Sequence, residues 1–262
     1  MNGFKNVLIM CMSCNVDSYL LQEKYVKETW GKDIDDGLYA GFKYVFFRSG
    51  KSCFFNSEEN ILEVDAGDTL EDTAEKTKKA MDCLTRLFCY DYVIITNMTT
   101  YMNLRLIYDF VNSEYIENDK IYGGDFLIPL IMIPFARGNF MLFSREIAVK
   151  LIECDKIYNM ANDINICMTF LREIAKDHEV YRNSFKQVNA IREFKWFGRE
   201  KLNNCFYVSL KSYGDIGDVE KHMHEMHELF MNIGACDNIK DAVYPVRYVS
   251  TGMRLYKIEV YE

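Results

Sequence analysis

This chain has few prolines, no long apolar runs and no excess of basic residues. Only three of its 262 residues are proline and about half are apolar, which is typical of a globular protein rather than a disordered one. The formal net charge of −8 argues against a general nucleic-acid-binding protein, because no broad excess of Lys and Arg is available to neutralise phosphates. We therefore expect no nucleic-acid partner, although this charge is compatible with a local basic pocket for a diphosphate.

We also expect no secretory signal. The apolar run near the N-terminus, Val7 to Ser13, is too short for a signal core with its cleavage site and far too short to span a bilayer. It is better interpreted as the first strand of a parallel sheet. We expect a cytoplasmic protein of the bacterial or viral type.

Cysteine is frequent, but the spacing of the cysteines does not indicate a framework of disulfides. The nine cysteines are scattered at positions 11, 14, 53, 83, 89, 154, 167, 205 and 236. Cys11 and Cys14 have the CxxC spacing, but no second pair follows, and a zinc site needs four ligands. We interpret the cysteines as reduced, mostly buried thiols without disulfides, and zinc at Cys11 and Cys14 as the less favoured alternative.

Short apolar runs alternate with helical patterns in the first half of the chain. The predicted strands are Val7–Met12, Tyr44–Phe47, Ile61–Val64 and Tyr92–Ile95, and the predicted helices are Val16–Trp30, Leu70–Leu87 and one that starts at Leu104. The less regular second half predicts strands at Ile121–Asp125, Phe140–Phe143, Phe206–Leu210 and Leu255–Val260, and helices at Arg145–Ile152, Ile164–Ile174 and Asp218–Phe230. This order predicts an α/β fold with a mostly parallel central sheet, helices on both faces and a small C-terminal extension.

The strand Tyr92–Ile95 ends abruptly in small polar residues, among them Asn97 and Thr99. In an open α/β sheet the carboxyl end of a strand is where ligands bind, so this polar break is a candidate site. A second interpretation stays open, because strand-to-loop turns favour Asn and Thr for local hydrogen bonds.

Several segments, taken in order, resemble the β-1,3-galactosyltransferase and Fringe-like glycosyltransferases, a family with the GT-A fold. Residues 27–30, Lys-Glu-Thr-Trp, stand where the family has Arg-x-Thr-Trp, and residues 61–65 resemble its strand that ends in Asp. Residues 68–77 resemble its Asp-x-Tyr-x-Asn-Leu-Thr-x-Lys-Thr helix start. The resemblance implies the GT-A architecture for this chain.

The same resemblance continues through the candidate site. Thr96–Asn103 stands for the family's Thr-Asp-Asp-Asp-Val-Phe-Val-Asn, with the three acids replaced by Asn97, Met98 and Thr99. Residues 134–145 resemble the loop Pro-Tyr-x-x-Gly-x-x-Tyr-x-x-Ser. Residues 162–164, Asn-Asp-Ile, stand for Glu-Asp-Val, whose Asp is thought to be the general base.

The resemblance implies an inverting hexosyltransferase with Asp163 as the general base. It would move a hexose or N-acetylhexosamine from a nucleoside diphosphate sugar, with uridine as the family-based guess, to a glycan, lipid-linked or protein acceptor. Such an enzyme would build surface glycans, with peripheral membrane association through the acceptor. For Asp163 the alternative is an N-cap carboxylate that opens the Ile164 helix. The expected donor-binding residues are Ser13, Lys27, Asp65, Lys76, Asn97, Thr99, Arg137 and Gly138.

We interpret residues 1–262 as a single glycosyltransferase domain. Its nucleotide-binding half would cover residues 1–110, its acceptor and catalytic half residues 111–200, and its C-terminal extension residues 201–262.

The replacement of the acidic triplet affects whether this site can bind a divalent metal ion. Hard cations such as Mn²⁺ and Mg²⁺ prefer carboxylate oxygens, whereas Asn97 and Thr99 offer only neutral oxygens and Met98 none. We expect no metal ligands here and metal-independent transfer, with Lys76, Arg137 or Lys27 as substitute cations. Mn²⁺ or Mg²⁺ remains an alternative.

Two other functions stay open. Loss of the triplet also fits a catalytically inactive pseudoenzyme that binds a sugar nucleotide or glycan. An unrelated Rossmann-like nucleotide-binding protein is disfavoured, because no glycine-rich fingerprint follows the first strand.

Two further patterns have ordinary interpretations. The histidine-rich run His222–Glu228 contains no HExxH motif and is interpreted as a solvated helix with some buried Met. The pair Gly123-Gly124 is interpreted as a turn, and close approach of its backbone to a donor sugar, with Asp125 contacting hydroxyl groups, is the alternative.

Overall fold

The computed structural model describes residues 4–113, 120–127, 135–155, 161–175, 185–188, 190–191, 205–210, 217–232, 243–250 and 256–260. The strands are β1 (Val7–Met12), β2 (Phe42–Ser49), β3 (Phe54–Asn56), β4 (Ile61–Val64), β5 (Tyr92–Asn97), β6 (Thr100–Met102), β7 (Tyr122–Leu127), β8 (Phe135–Ser144), β9 (Phe185–Val188), β10 (Ala190–Ile191), β11 (Tyr207–Ser209), β12 (Val243–Ser250) and β13 (Tyr256–Val260). The helices are α1 (Asp17–Glu28), α2 (Trp30–Asp35), α3 (Thr73–Leu87), α4 (Leu104–Val111), α5 (Arg145–Glu153), α6 (Asn162–Thr169) and α7 (Gly217–Met231), with a π-helical turn at Phe170–Ile174 after α6.

One ten-stranded sheet runs through the described residues in the order β13-β12-β9-β7-β8-β5-β1-β2-β4-β3. At its centre β5, β1, β2 and β4 are parallel neighbours, whereas β8 runs antiparallel to β5. A second sheet of three strands has the order β10-β11-β6. The predicted α/β architecture is confirmed, with a parallel centre flanked by antiparallel pairs.

Both faces of the central sheet are covered by helices. Along β1, Val7 and Ile9 belong to an apolar cluster under α1, α2, α4 and α7, whereas Leu8 and Met10 belong to a cluster under α3, α5 and α6. Successive residues of a strand point to opposite faces. This burial on both sides is the reason why β1 is a continuous apolar run rather than an alternating one.

The element boundaries depart from the predictions at a few places. The predicted helix Val16–Trp30 is two helices, because α1 ends at Glu28 and α2 begins at Trp30. The short strands β3 and β6 were not predicted, since three residues are too few to show a period.

The pair Gly123-Gly124 lies inside strand β7, so its interpretation as a turn was wrong. Gly124 pairs with Met141 but Phe126 pairs with Ala136, so residues 137–140 of β8 form a bulge. A Cβ atom on Gly124 would collide with the Cβ of Ala136. Glycine is therefore needed here because the bulge brings the two strands together.

The expected absence of disulfides was also wrong. Cys53, just before β3, and Cys83 on α3 form a disulfide with their Cα atoms 6.6 Å apart. Cys11 and Cys14 are free thiols, and burial raises the pKa of Cys11, which disfavours the thiolate that zinc would need.

None of the helices in the described ranges combines the length and the apolarity that a bilayer crossing requires.

Candidate active site at the carboxyl edge of the sheet

The carboxyl ends of the four parallel strands meet along one edge of the sheet. Met12, the last residue of β1, pairs with Phe47 on one side and with Asn97 on the other. Asn97 is itself the last residue of β5. The fold therefore brings Ser13 and Asn97 to the edge where open α/β sheets bind ligands.

Ser13 is buried at this edge, with 1% of its surface exposed, and it contacts three other residues. Its N–H donates to the carbonyl of Phe47 at 2.9 Å, and its hydroxyl donates to Oε1 of Glu23 at 2.5 Å. Its carbonyl accepts a hydrogen bond from Nζ of Lys76 at 2.9 Å. Because all three polar groups of Ser13 are engaged, it fixes the edge and offers a ligand no spare donor.

Lys76 is buried, 2% exposed, and ion-paired. Its Nζ lies 2.8 Å from Oδ1 of Asp68, so Lys76 is not a solvated charge on the helix surface. Burial opposes ionisation of Asp68, but hydrogen bonds led by that from Lys76 outweigh it and lower the pKa of Asp68. Lys76 thus connects helix α3 to Ser13 and Asp68 at the carboxyl edge of the sheet.

Asp68 was not identified from the sequence as a site residue. Its Oδ2 accepts from the N–H of Asn15 at 3.0 Å, and its Oδ1 accepts from the N–H of Ser49 at 3.4 Å. The side chain thereby joins the loops that follow β1 and β4 to the end of β2. The available signal was its position eight residues before Lys76, at the start of the segment that resembles the family helix.

The polar break after β5 is a tight turn closed by Asn97. Its Oδ1 accepts hydrogen bonds from the N–H of Thr99 at 3.1 Å, from the hydroxyl of Thr99 at 3.0 Å and from the hydroxyl of Thr100 at 2.9 Å. Met98 is 1% exposed and belongs to the core. The interpretation of Asn97 and Thr99 as local hydrogen-bonding residues is confirmed.

These residues do not fit a hard divalent cation. The side-chain oxygen of Asn97 already accepts three hydrogen bonds, and Met98 points into apolar surroundings. Within the described ranges, no group of three or more His, Cys, Asp or Glu side chains is arranged to hold a metal ion. We derive no step of the chemistry through a metal.

Asn139, in the β8 bulge, was missed from the sequence and connects four elements. Its Nδ2 donates to the hydroxyl of Thr100 at 3.2 Å and to the hydroxyl of Ser209 on β11 at 3.0 Å. Its carbonyl accepts from the hydroxyl of Thr96 at 2.7 Å. The bulge therefore holds the turn after β5 against β11.

Asp163 lies on the other side of the same bulge. Its Oδ2 accepts from the N–H of Gly138 at 3.2 Å, and its Oδ1 accepts from the N–H of Ile164 at 2.9 Å. The residue that caps α6 is Ala161, so the N-cap interpretation of Asp163 was wrong, although the carboxylate does bond an N–H of the first turn. Burial raises the pKa of Asp163 above its usual value, and the hydrogen bonds from Ile164 and Gly138 only partly oppose this.

Arg137 supplies a cation between two carboxylates. Its Nε lies 3.7 Å from Oδ2 of Asp125, which is 3% exposed, while its own side chain is 32% exposed. Its charge also acts on Asp163, where it lowers the pKa and so opposes the effect of burial. Arg137, Gly138 and Asp163 are thus neighbours, as expected for residues of one site.

Two further residues that were predicted to bind the sugar donor, Lys27 and Asp65, make other contacts. Nζ of Lys27 lies 5.5 Å from the ring centre of Phe46, an arrangement typical of a packing contact. Asp65 follows β4 with an exposed side chain, and its carbonyl accepts a hydrogen bond from Lys79.

The histidine-rich run forms helix α7, as predicted, with Met223 and Met226 buried in the core. The Nδ1 atom of His227 lies 3.1 Å from the hydroxyl of Tyr101 and 3.8 Å from Oδ2 of Asp33. These contacts hold α7 against α2 and against β6, the strand that follows the Asn97 turn.

No family model and no curated protein matches this sequence. Among solved structures, the chain is similar to a glycosyltransferase involved in the glycosylation of the major capsid of PBCV-1, with 10% identity, coverage of 84% of this chain and 99% of that chain, and a TM-score of 0.51. It is less similar to the galactosyltransferase LgtC in complex with donor and acceptor sugar analogs (10% identity, 90% and 98% covered, TM-score 0.42). A third match is the mannosyltransferase PcManGT from Pyrobaculum calidifontis in complex with GDP-Man and Mn²⁺ (11% identity, 63% and 51% covered, TM-score 0.39). At these identities the first likeness shows the fold, and the chain has the GT-A fold.

Proposed function

We propose that this protein is an inverting glycosyltransferase of the β-1,3-galactosyltransferase and Fringe-like type. It transfers a hexose or N-acetylhexosamine from a nucleoside diphosphate sugar, the uridine form, to a glycan, lipid-linked or protein acceptor. The observation that carries the proposal is the position of Asp163. Its carboxylate is held by the N–H of Gly138, next to Asn139, whose side chain holds the turn at the carboxyl end of β5.

The Asn97 turn and Asp163 provide two sides of one site. In a GT-A fold the carboxyl edge of the parallel strands receives the nucleotide, so the turn would face the donor and Asp163 the acceptor. The order of the matched segments in the sequence supports the same assignment, since Asp163 stands at the position of the family's general base.

Asp163 is suited to accept a proton. In the proposed reaction, the acceptor hydroxyl attacks the anomeric carbon of the donor and gives its proton to Asp163 as the new C–O bond forms. The bond from the anomeric carbon to the diphosphate oxygen breaks on the opposite face, and the electron pair leaves with the diphosphate. Such a displacement inverts the anomeric centre, so an α-linked donor gives a β-linked product. The raised pKa of Asp163 makes it a stronger base than an exposed carboxylate.

The leaving diphosphate would be stabilised by Arg137 rather than by a metal ion. The Arg137 side chain is 32% exposed and its Nε lies 3.7 Å from Asp125, whereas the Lys76 side chain is 2% exposed and its Nζ lies only 2.8 Å from Asp68. A guanidinium group can bind phosphate oxygens in a bidentate manner.

A titration tests this proposal. Uridine and guanosine diphosphate sugars are titrated calorimetrically into the protein with Mn²⁺ and with chelator, and each is incubated with simple glycosides to detect a product. Metal-independent binding of one uridine sugar together with a β-linked product would support the proposal. Binding without turnover would favour the pseudoenzyme instead, and binding only with Mn²⁺ would contradict the metal-independent chemistry.

A further inference from the structure

The disulfide between Cys53 and Cys83 encloses one part of the candidate site. The two cysteines are 30 residues apart in the sequence. The closed loop between them includes Asp68 and Lys76, the ion pair at the carboxyl edge of the sheet. A disulfide limits how far the residues inside its loop can open, because their two ends cannot separate. The crosslink therefore acts on the segment that carries this ion pair.

The disulfide and the ion pair join the same parts of the chain. On one side, Cys83 lies seven residues after Lys76 on helix α3, so the two residues share a face of the helix, about two turns apart. On the other side, the N–H of Ser49 donates to Asp68 at 3.4 Å, and Ser49 lies four residues before Cys53. Only short stretches of chain therefore separate the disulfide from the ion pair at both ends.

The disulfide can be reached from solvent. Cys53 is exposed and Cys83 is half-buried, and Phe54, which follows Cys53, is 60% exposed. Cys53 lies at the border of the sheet, because β3 is the last strand in the order of the described strands. A reductant must bring a thiolate up to one of the two sulfur atoms, and the exposed Cys53 allows this approach. The crosslink is therefore open to reduction in the folded protein.

Other contacts hold the same region together without the disulfide. Strand β3 pairs antiparallel with β4. The ring of Phe55 packs against that of Phe88, which follows α3, with the ring centres 5.4 Å apart. Helix α3 buries Ala80, Met81 and Leu84 in the apolar cluster beneath it. Reduction should therefore loosen this region without unfolding the protein, as a reversible control requires.

We propose that Cys53 and Cys83 form a redox switch that controls how firmly the segment with Asp68 and Lys76 is held at the carboxyl edge. In the oxidised protein the crosslink restricts local opening of this segment, and in the reduced protein the segment opens more often. The fold is the same in both states. The inference does not depend on the proposed function, because it concerns the order of the edge and no step of sugar transfer.

Reduction proceeds by thiol–disulfide exchange with a small dithiol. A thiolate of the dithiol attacks the sulfur of Cys53, the bond to Cys83 breaks, and the Cys83 thiolate leaves and takes up a proton. The second thiolate then attacks the mixed disulfide and releases Cys53, which also takes up a proton. Two electrons pass to the protein, and the dithiol becomes a disulfide. Oxidised glutathione drives the reverse reaction, in which it takes up the two electrons and leaves as two molecules of glutathione.

Hydrogen exchange measured by mass spectrometry tests the switch. The protein is treated with oxidised glutathione or with dithiothreitol, and alkylation under denaturing conditions reports the state of Cys53 and Cys83. We expect reduction to speed the exchange of peptides that cover residues 65–76 by at least about tenfold. The reduced protein should keep a cooperative thermal unfolding transition, because the fold persists.

Two serine variants supply the controls. Cys53→Ser cannot form the crosslink, so its exchange should match that of the reduced wild type and should not respond to dithiothreitol. Cys89→Ser removes an exposed free thiol that is not part of the crosslink, so it should respond as the wild type does. If Cys53→Ser fails to fold, Cys83→Ser takes its place, and failure of both would contradict a reversible switch.

Four outcomes would overturn the switch: no disulfide after treatment with oxidised glutathione, equal exchange of residues 65–76 in both states, loss of the cooperative transition on reduction, or a response of Cys53→Ser to dithiothreitol. Loss of the transition would show that the crosslink is structural. Failure of the proposed function is separate. If the switch operates but no nucleotide sugar binds to the protein, only the proposed function fails.

Discussion

The backbone N–H of Gly138 donates a hydrogen bond to Oδ2 of Asp163 across a sequence separation of 25 residues. This bond connects the β8 bulge to the first turn of α6. Because Asn139 follows Gly138 and holds the turn after β5, the position of Asp163 is set by the same two-residue stretch that sets the turn. Geometry at the proposed base and at the proposed donor edge is therefore coupled.

Replacement of Asp163 by Asn should abolish most of the transfer activity. The amide keeps the size and one acceptor oxygen but cannot take up the proton, so we expect turnover to fall by about 10²- to 10⁴-fold. Donor affinity, measured by calorimetry, should stay within about twofold. The control is Asp155→Asn, an exposed carboxylate after α5, which should keep full turnover. Equal losses of affinity and rate would point to a structural role.

The pH dependence of transfer should show the raised pKa of Asp163. Only the ionised carboxylate accepts a proton, so the turnover number should fall as the pH drops through this pKa, above the usual value of about 3.9. A pH–rate profile measures the midpoint. An acid limb at or below the usual carboxylate value would contradict the assignment of Asp163.

Asp163 should also make the free energy of unfolding depend on pH. Its pKa is raised in the folded state, so the folded protein holds the proton more tightly than the unfolded chain. That contribution to stability is fully present below the unfolded-state pKa and is lost as the pH rises through the folded-state pKa. Urea unfolding at a series of pH values should show this loss in the wild type and not in Asp163→Asn.

Removal of Lys76 should destabilise the protein more than removal of a surface lysine. Lys76→Met leaves the Asp68 carboxylate without its ion-pair partner, and breaking a buried pair in this way costs about 3 to 5 kcal/mol, with less expected here because the Asp68 side chain is 25% exposed. Lys24→Met breaks the exposed pair with Glu28, worth about 0.3 to 0.5 kcal/mol. Chemical denaturation measures both. A similar small loss for both would mean that Lys76 does not hold the edge together.

Two glycines near the bulge should respond differently to alanine. In Gly124→Ala the new Cβ would collide with Ala136, so we expect a loss of about 1 to 3 kcal/mol in the free energy of unfolding. In Gly138→Ala the new Cβ would lie 3.7 Å from Oδ2 of Asp163, an ordinary contact, so we expect a change within about 0.5 kcal/mol. Thermal unfolding of both variants checks this, and equal losses would contradict the bulge geometry.

The fold was predictable where a pattern is local. The strands β1, β4 and β5 are apolar runs buried on both faces, and the sequence shows them without knowledge of their neighbours. The strands β3 and β6 were not visible, because three residues are too few to show a period. In addition, β6 pairs with β11, more than one hundred residues later.

The candidate site was also predictable only in part. Asp163, Gly138 and Arg137 came from the resemblance to a family, and the structure places them together. Asn139 was missed because its partner Ser209 is 70 residues away. Asp68 was missed because its contacts with Asn15 and Ser49 join two loops and the end of β2, which are separate in the sequence. The burial of Lys76 could not be predicted from the sequence, because it depends on contacts such as that with the carbonyl of Ser13, 63 residues earlier.

The strand β11 closes the turn after β5 from the far side. The N–H of Leu210 donates to the carbonyl of Thr99 at 2.8 Å, and the hydroxyl of Ser209 accepts from Asn139 at 3.0 Å. During synthesis on the ribosome, the parallel strands β1, β2, β4 and β5 emerge long before Ser209 does. Since domains begin to fold from the N-terminal side as they are made, the central sheet is ready to form while the turn after β5 still lacks its contacts with β11. The nascent chain can therefore become a folded α/β sheet well before its candidate site is complete, and a ribosome that stalls before Ser209 would present the fold without the contact between Asn139 and Ser209.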